Sequence, residues 1–308
     1  MSASVCLPRR ITSARITSMA KKCLAISVNG GGALGVGPLA FMCRLEQDIG
    51  KKLGDLAVAF AGTSTGAIIA AGLDEGYSAH ELYDLYRGNL KKIFTKYPWY
   101  KRLTTTCPTY DNSYLKSLLK EKFPGSVSDW KKPIFIPTTH TNGKSVEKVW
   151  DLGDTGVDKA FCILTSTAAP TYFDVIVKDG QSYADGGLWA NSAIAVLNAG
   201  LKRSDYNGHL KILSFNTGMD HPNTLVGNQS LAGWATYMLK EWVARAGKSN
   251  EYEVKADIGE DNVAIASPFS DKKFDMDDVS NSTLEKVEKI WTDYYAKNKD
   301  YFYKFVTS

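Results

Sequence analysis

Leu56-Ala57-Val58-Ala59-Phe60-Ala61-Gly62-Thr63-Ser64-Thr65-Gly66-Ala67-Ile68-Ile69-Ala70-Ala71-Gly72 is the stretch that decides the fold. An apolar run ends in Gly-x-Ser-x-Gly and feeds a run of small apolar residues. That pattern reads as strand, sharp turn and helix, with serine at the apex. Glycine on both flanks removes Cβ atoms that so tight a turn would drive into neighbouring atoms. The serine Oγ then projects at a helix N-terminus, where unpaired backbone N–H groups favour a developing negative charge. The same motif also occurs as a small-residue turn without chemistry, so the reading needs partners elsewhere in the chain.

The preceding segment has the same plan. Cys23 to Val28 reads as a short buried strand running into Asn29-Gly30-Gly31-Gly32-Ala33-Leu34-Gly35, followed by a helical stretch from Pro38 to about Gly50. Two consecutive strand-helix units imply a parallel sheet covered by helices. Gly30, Gly32 and Gly35 match Gly-x-Gly-x-x-Gly, the dinucleotide-binding spacing. That reading requires a carboxylate at the end of the second strand to hold a ribose. Here the second strand delivers Ser64 instead. Three consecutive glycines also allow backbone amides to converge on a carbonyl oxygen as an oxyanion hole, and this is the preferred reading.

Working outward, residues 77–130 read as a helical, cap-like insertion. Ser78 and Glu81 form a capping box, and Leu82, Leu85, Tyr86 and Leu90 share one face. Tyr97-Pro98-Trp99-Tyr100-Lys101-Arg102 mixes aromatic and basic residues, which suits either a lipid interface or a loop packed on the core. Pro133–Thr139 and Lys148–Asp151 read as strands around Asn142-Gly143. A helix ends near Ala168, before Pro170, and a strand is expected from Phe173 to Val177. Tyr183-Ala184-Asp185-Gly186-Gly187 is either a plain turn or a carboxylate held where backbone passes close to a substrate. Leu210 to Phe215 is a further strand. The part from about 225 to 308 is helical in pattern, with core-facing stripes at Leu231, Trp234, Met238 and Trp242, and at Leu284, Val287, Trp291 and Tyr294 or Tyr295. Residues 1–22 are Ser/Thr-rich and carry Arg9, Arg10, Arg15, Lys21 and Lys22 with no acid. They are set aside as a disordered or targeting tail, which leaves 23–308 as one domain.

Composition excludes several classes. With 37 basic and 33 acidic residues among 308, the net charge of +4 gives no case for nucleic acid. Five scattered cysteines form no Cys-x-x-Cys or Cys/His cluster, so neither a zinc site nor a disulfide framework is expected, and the cytoplasm suits reduced thiols. No apolar run reaches the ~18 residues of a membrane-spanning helix.

Ser64 needs a base. His80, His140, His209 and His221 are the four histidines. Ser64, Asp185 and either His209 or His221 have the order of an α/β-hydrolase triad. That fold places its serine after several strands, however, whereas Ser64 follows only two, and His209 and His221 sit in turn-like sequences. A two-residue site of Ser64 and Asp185 is preferred.

Taken together, Gly30–Gly35, Gly62–Gly66, Ser166-Thr167-Ala168-Ala169-Pro170-Thr171-Tyr172-Phe173 and Asp185–Gly187 occur in the order and rough spacing of the patatin-like phospholipase family. The chain resembles that family over about residues 23–215, and Tyr110–Ser113 is similar to a segment common there. The resemblance implies a three-layer α/β/α sandwich with a mainly parallel central sheet, and a Ser-Asp dyad that cleaves lipid acyl esters with no metal or cofactor. Ser64 matches the nucleophile and Asp185 the base. Backbone amides from Gly30, Gly31, Gly32 and Thr65 match the oxyanion hole. The implied partner is a phospholipid or other acyl-ester lipid at a membrane surface, reached peripherally from the cytoplasm, and not nucleic acid. Asn29 stands where many members carry Asp, and Leu34 where they carry Arg or Lys. "Acyl ester" is therefore a firmer substrate class than phospholipid. A second expectation is a latent lipid-binding effector that a protein activator switches on.

Overall fold

The computed structural model describes residues 22–103, 107–202, 209–217, 220, 230–238 and 243–308. Residues 1–21, His221 and Trp242 of the expectations above lie outside them. Eight strands form one sheet: β1 (Cys23–Val28), β2 (Ala57–Gly62), β3 (Ile134–His140), β4 (Glu147–Trp150), β5 (Ile176–Lys178), β6 (Gln181–Asp185), β7 (Leu210–Phe215) and β8 (Val263–Ala266). Their order is β5-β6-β3-β2-β1-β7-β8, with β4 beside β3 off that path. β3, β2, β1, β7 and β8 run parallel, while β4, β5 and β6 are antiparallel to their neighbours.

The helices are α1 (Val36–Ile49), α2 (Leu53–Leu56), α3 (Thr65–Glu75), α4 (Ala79–Ile93), α5 (Ser113–Lys122), α6 (Lys159–Ser166), α7 (Gly187–Ala190), α8 (Ile194–Lys202), α9 (Leu231–Tyr237), α10 (Val243–Ile258) and α11 (Asn281–Thr307). Alternate residues of the parallel strands feed two cores. Leu24, Ile26, Val28, Phe60, Leu213 and Phe215 pack under α1, α3, α4 and α11. Ala25, Ala59, Ala61, Leu210 and Ile212 pack with Ile194, Leu197 and Val254 of α8 and α10. Helices on both faces explain why these strands are apolar throughout rather than alternating. The expected three-layer α/β/α sandwich with a mainly parallel sheet is what forms.

On the first face, the Phe41 ring meets Phe215, Trp291, Tyr295 and Phe302 edge-on, at centroid distances from 4.8 to 6.2 Å. The stripe Leu284, Val287, Trp291 and Tyr295 is buried, as its spacing predicts. The other stripe is not: Leu231, Trp234 and Met238 are exposed. Helical period reports one face, and does not say whether anything covers it.

Two strands were not anticipated and one was displaced. Thr171 adopts φ 71° and Phe173 N–H bonds Ala169 O at 2.9 Å, so residues 169–173 form a turn and the strand expected from Phe173 begins only at Ile176. Asp179 and Gly180, at φ 52° and 74°, then form a two-residue hairpin into β6. Asp-Gly is among the strongest hairpin signals and could have located that strand. β8 lies in the part expected to be wholly helical.

Trp291 fills the centre of one core and Trp234 only a surface. Trp291→Ala should lose about 3–5 kcal/mol of stability in urea unfolding, and Trp234→Ala should stay within about 0.5 kcal/mol. Equal effects would refute this assignment of core and surface.

Candidate active site

Ser64 sits where β2 turns into α3, with φ 55° and ψ −123°. L-residues seldom occupy that region, and the neighbours explain how it is held. A Cβ on Gly62 would overlap the Gly66 carbonyl, and one on Gly66 would overlap the Val28 carbonyl at the end of β1. Both flanks must therefore be glycine for the turn to close. Ser64 N–H donates to Ser166 Oγ at 3.0 Å, and Ser166 Oγ donates to Pro137 O of β3 at 2.6 Å. Thr63 Oγ1 adds a bond to Ala190 O at 2.6 Å.

Asp185 is the last residue of β6 and pairs with Thr138 of β3. Thr139 Oγ1 donates to its carbonyl at 2.7 Å, and its own N–H donates to Ala168 O at 2.9 Å. A Cβ on Gly186 would overlap Pro137 O, so the chain after Asp185 passes close to the strand that also anchors Ser166. One strand thus positions both residues. The buried Asp185 carboxylate accepts from Gly187 N–H at 2.7 Å, and the Ser64 side chain lies near enough to favour its charged form. Burial raises its pKa from 3.8 to about 7, against the lowering effect of the Gly187 N–H and of the Ser64 side chain. A carboxylate poised near neutrality beside a serine hydroxyl can act as a general base.

The glycine loop lies over this pair. A Cβ on Gly30 would come 3.1 Å from Ser64 Cβ and 2.6 Å from Asn191 Oδ1. Gly30 N–H is spent on Asn191 O at 3.2 Å, so Gly30 is needed for close approach and not as a donor, contrary to the expectation. The amides of Gly31, Gly32 and Thr65 have no hydrogen-bond partner among the described residues. Gly32 O is tied down by Thr65 Oγ1 at 2.9 Å and Tyr86 OH at 2.6 Å, and Ala33 N–H by Met276 O at 2.7 Å. Thr217 Oγ1 holds Gly30 O. The loop is fixed from α3, α4, the end of β7 and the segment before α11.

His209 does not join the site. It is exposed, and its carbonyl accepts from Cys23 N–H at the start of β1, the opposite end of the sheet from Ser64. Six residues of strand separate those ends, about 20 Å. Ser166, Tyr86 on its helix face and Asn191 just after the Asp185 motif are visible in the sequence with no task assigned, whereas Thr217 and Met276 are distant in sequence and carry no motif.

The chain matches the family model "Patatin-like phospholipase" over residues 26–197. It is 31% identical over 193 residues to a cGAMP-activated phospholipase of Escherichia coli, covering 54% of this chain and 52% of that one. It is 30% identical over 192 residues to a cGAMP-activated phospholipase of Vibrio cholerae, covering 54% of each. Patatin-like protein 2 of Oryza sativa is 28% identical over 206 residues, covering 56% of this chain and 51% of that one. The chain spans about half the length of these relatives.

The unfolded Asp185 ionises near pH 3.8 and the folded one near 7. Between those values the folded state holds a proton that the unfolded state has lost, so this group's contribution to stability falls as pH rises. The stability of the parent relative to Asp185→Asn should decline from about pH 4 to about pH 7 and level off above. Urea titrations at several pH values would read this, and a constant difference would contradict it. Ser166→Ala leaves the Ser64 N–H without its acceptor and should cost about 1–3 kcal/mol in the same assay.

Proposed function

We propose, from the premise that the chain belongs to the patatin-like phospholipase family, that it is a lipid acyl hydrolase working through an acyl-Ser64 intermediate. The observation that carries the reading is the buried Asp185 carboxylate beside Ser64, itself held at a strained turn. In this reading residues 23–308 are one catalytic unit, since β8 extends the sheet and α11 packs on α1.

Ionised Asp185 takes the proton of Ser64 Oγ as the oxygen attacks the ester carbonyl carbon. The resulting oxyanion is held by the amides of Gly31, Gly32 and Thr65, at the loop and at the α3 N-terminus. The C–O bond to the alcohol or lysolipid breaks, and that leaving oxygen receives the proton from Asp185. A water then gives its proton to Asp185 and attacks the acyl carbon. Ser64 leaves with that proton, and the fatty acid is released.

The substrate proposed is a carboxylic ester of a membrane lipid, phospholipid or lysophospholipid, met peripherally at a cytoplasmic membrane surface. Among the described residues no helix is long and apolar enough to cross a bilayer. Two relatives are named as cGAMP-activated. They favour a second reading, in which the same hydrolase stays latent until an activator binds.

Hydrolysis of a short-chain p-nitrophenyl ester and of mixed phospholipid vesicles, in chelator and with or without cGAMP, tests both. The expected kcat/KM rises through about pH 7 and stays high above it, because Asp185 must be ionised. Ser64→Ala and Asp185→Ala should each lower it by about 10³-fold or more. Activity seen only with cGAMP would select the latent form. Activity that survives both substitutions would refute the dyad.

A further inference from the structure

The turn after α4 has no task in the hydrolase site. Trp99, Tyr100 and Leu103 are 70%, 58% and 74% exposed. Single exposed apolar residues are ordinary, but three within five positions on one turn are not. The turn is also firmly built. Lys101 N–H and Arg102 N–H both reach Pro98 O, and Tyr97 N–H bonds Thr109 O at 3.1 Å. Lys96 bridges Tyr110, and Tyr97 OH bonds Asp174 at 2.7 Å. The aromatic rings are held out in solvent by an ordered base.

Charge points to one kind of partner. From Leu85 to Tyr110 the chain contains six Lys or Arg and no Asp or Glu. Lys91, Lys92, Lys96, Lys101 and Arg102 of these are exposed. The acids at the base of the turn are bonded within the protein, Asp174 by Tyr97 OH, Asp277 by Tyr110 OH and Asp111 by Ser113 N–H, and of the turn's cations Lys101 also acts on Asp111.

Position links the turn to the site. α3 leaves Ser64 and runs away from that rim, and α4 returns. Tyr86, midway along α4, is level with the glycine loop, since its OH bonds Gly32 O. Ile93 lies seven residues further on, about 10 Å beyond along the helix axis, and the turn follows it. The base of the turn is joined to the chain between Ser166 and Asp185, because Thr109 N–H bonds Thr171 O and Tyr110 N–H bonds Tyr172 O.

We infer that the turn 96–103 docks the protein on an anionic lipid bilayer, with Trp99, Tyr100 and Leu103 entering the headgroup layer. Lys96, Lys101 and Arg102 meet the lipid phosphates. Tryptophan and tyrosine favour that depth, and basic residues are drawn to anionic leaflets. Docked in this way, the rim that carries Ser64 faces lipid. The functional meaning rests on the lipid-hydrolase reading, but the test of docking does not.

Ser64→Ala protein, which leaves vesicles intact in that reading, is sedimented with sucrose-loaded vesicles of phosphatidylcholine alone or with one quarter phosphatidylglycerol. Binding should appear on the anionic vesicles and weaken with salt. Adding Trp99→Ala and Leu103→Ala should reduce it at least tenfold. A second variant carrying Lys96→Gln, Lys101→Gln and Arg102→Gln keeps the apolar residues, and should lose about fivefold per charge at low salt. Far-UV circular dichroism of each variant should match the parent. No binding, equal binding to both vesicles, or binding that survives both variants would overturn the inference. So would a parent dimer in sedimentation velocity that the Trp99/Leu103 variant abolishes without any vesicle binding, which would give the face to a second copy. The short-chain ester assay reads the dyad without vesicles, so failure of docking and failure of the hydrolase reading are distinguishable.

Discussion

A serine held at φ 55° costs about 1–3 kcal/mol relative to an ordinary conformation, and the rest of the molecule is arranged around meeting that cost. β2 is paired on both sides, by β1 and β3, so the strand cannot relax to let the turn open. Gly62 and Gly66 make the closure sterically allowed, and the Ser166 hydroxyl gives the Ser64 N–H a buried partner. The strain places a hydroxyl at the α3 N-terminus with its own amide turned aside toward Ser166.

The same strand, β3, then sets the base. Its Pro137 carbonyl accepts from Ser166, its Thr138 pairs with Asp185, and its Thr139 holds the Asp185 carbonyl. β3 is thus in contact with the anchor of the proposed nucleophile and with the proposed base at once. Burial supplies the electrostatics. A solvated aspartate would be a weak base, whereas this one is raised toward neutrality by desolvation and kept in place by the Gly187 N–H. The Cβ contacts of Gly186 with Pro137 O, and of Gly30 with Ser64 Cβ and Asn191 Oδ1, show that the backbone on those sides leaves no room for a side chain.

What the sequence disclosed followed from local rules. Gly62, Ser64 and Gly66 announce the turn because only glycine fits beside it. The Ser78–Glu81 box forms as its spacing predicts, and the apolar runs at Cys23–Val28 and Leu210–Phe215 are the central strands. Other features depend on tertiary contact and left no local trace. Gly30 looked like an oxyanion donor until the Asn191 carbonyl, 161 residues away in sequence, was seen to occupy its N–H. Tyr86 and Met276 brace the glycine loop from helices and segments that no motif connects. Leu231, Trp234 and Met238 have the spacing of a core stripe, yet lie exposed, since periodicity carries no record of what faces it. β8 escaped notice because Val263-Ala264-Ile265-Ala266 is too short for period to separate strand from helix.

The proposed acyl-Ser64 chemistry is tested most directly by covalent trapping. The protein is treated with a long-chain alkyl fluorophosphonate, digested, and its labelled peptide identified by mass spectrometry, across pH 5 to 9. The predicted result is one adduct, on Ser64, forming faster as pH rises through about 7, and forming far more slowly in Asp185→Asn. An adduct on another residue, or labelling of Ser64 that Asp185→Asn leaves unchanged, would contradict the assignment of nucleophile and base.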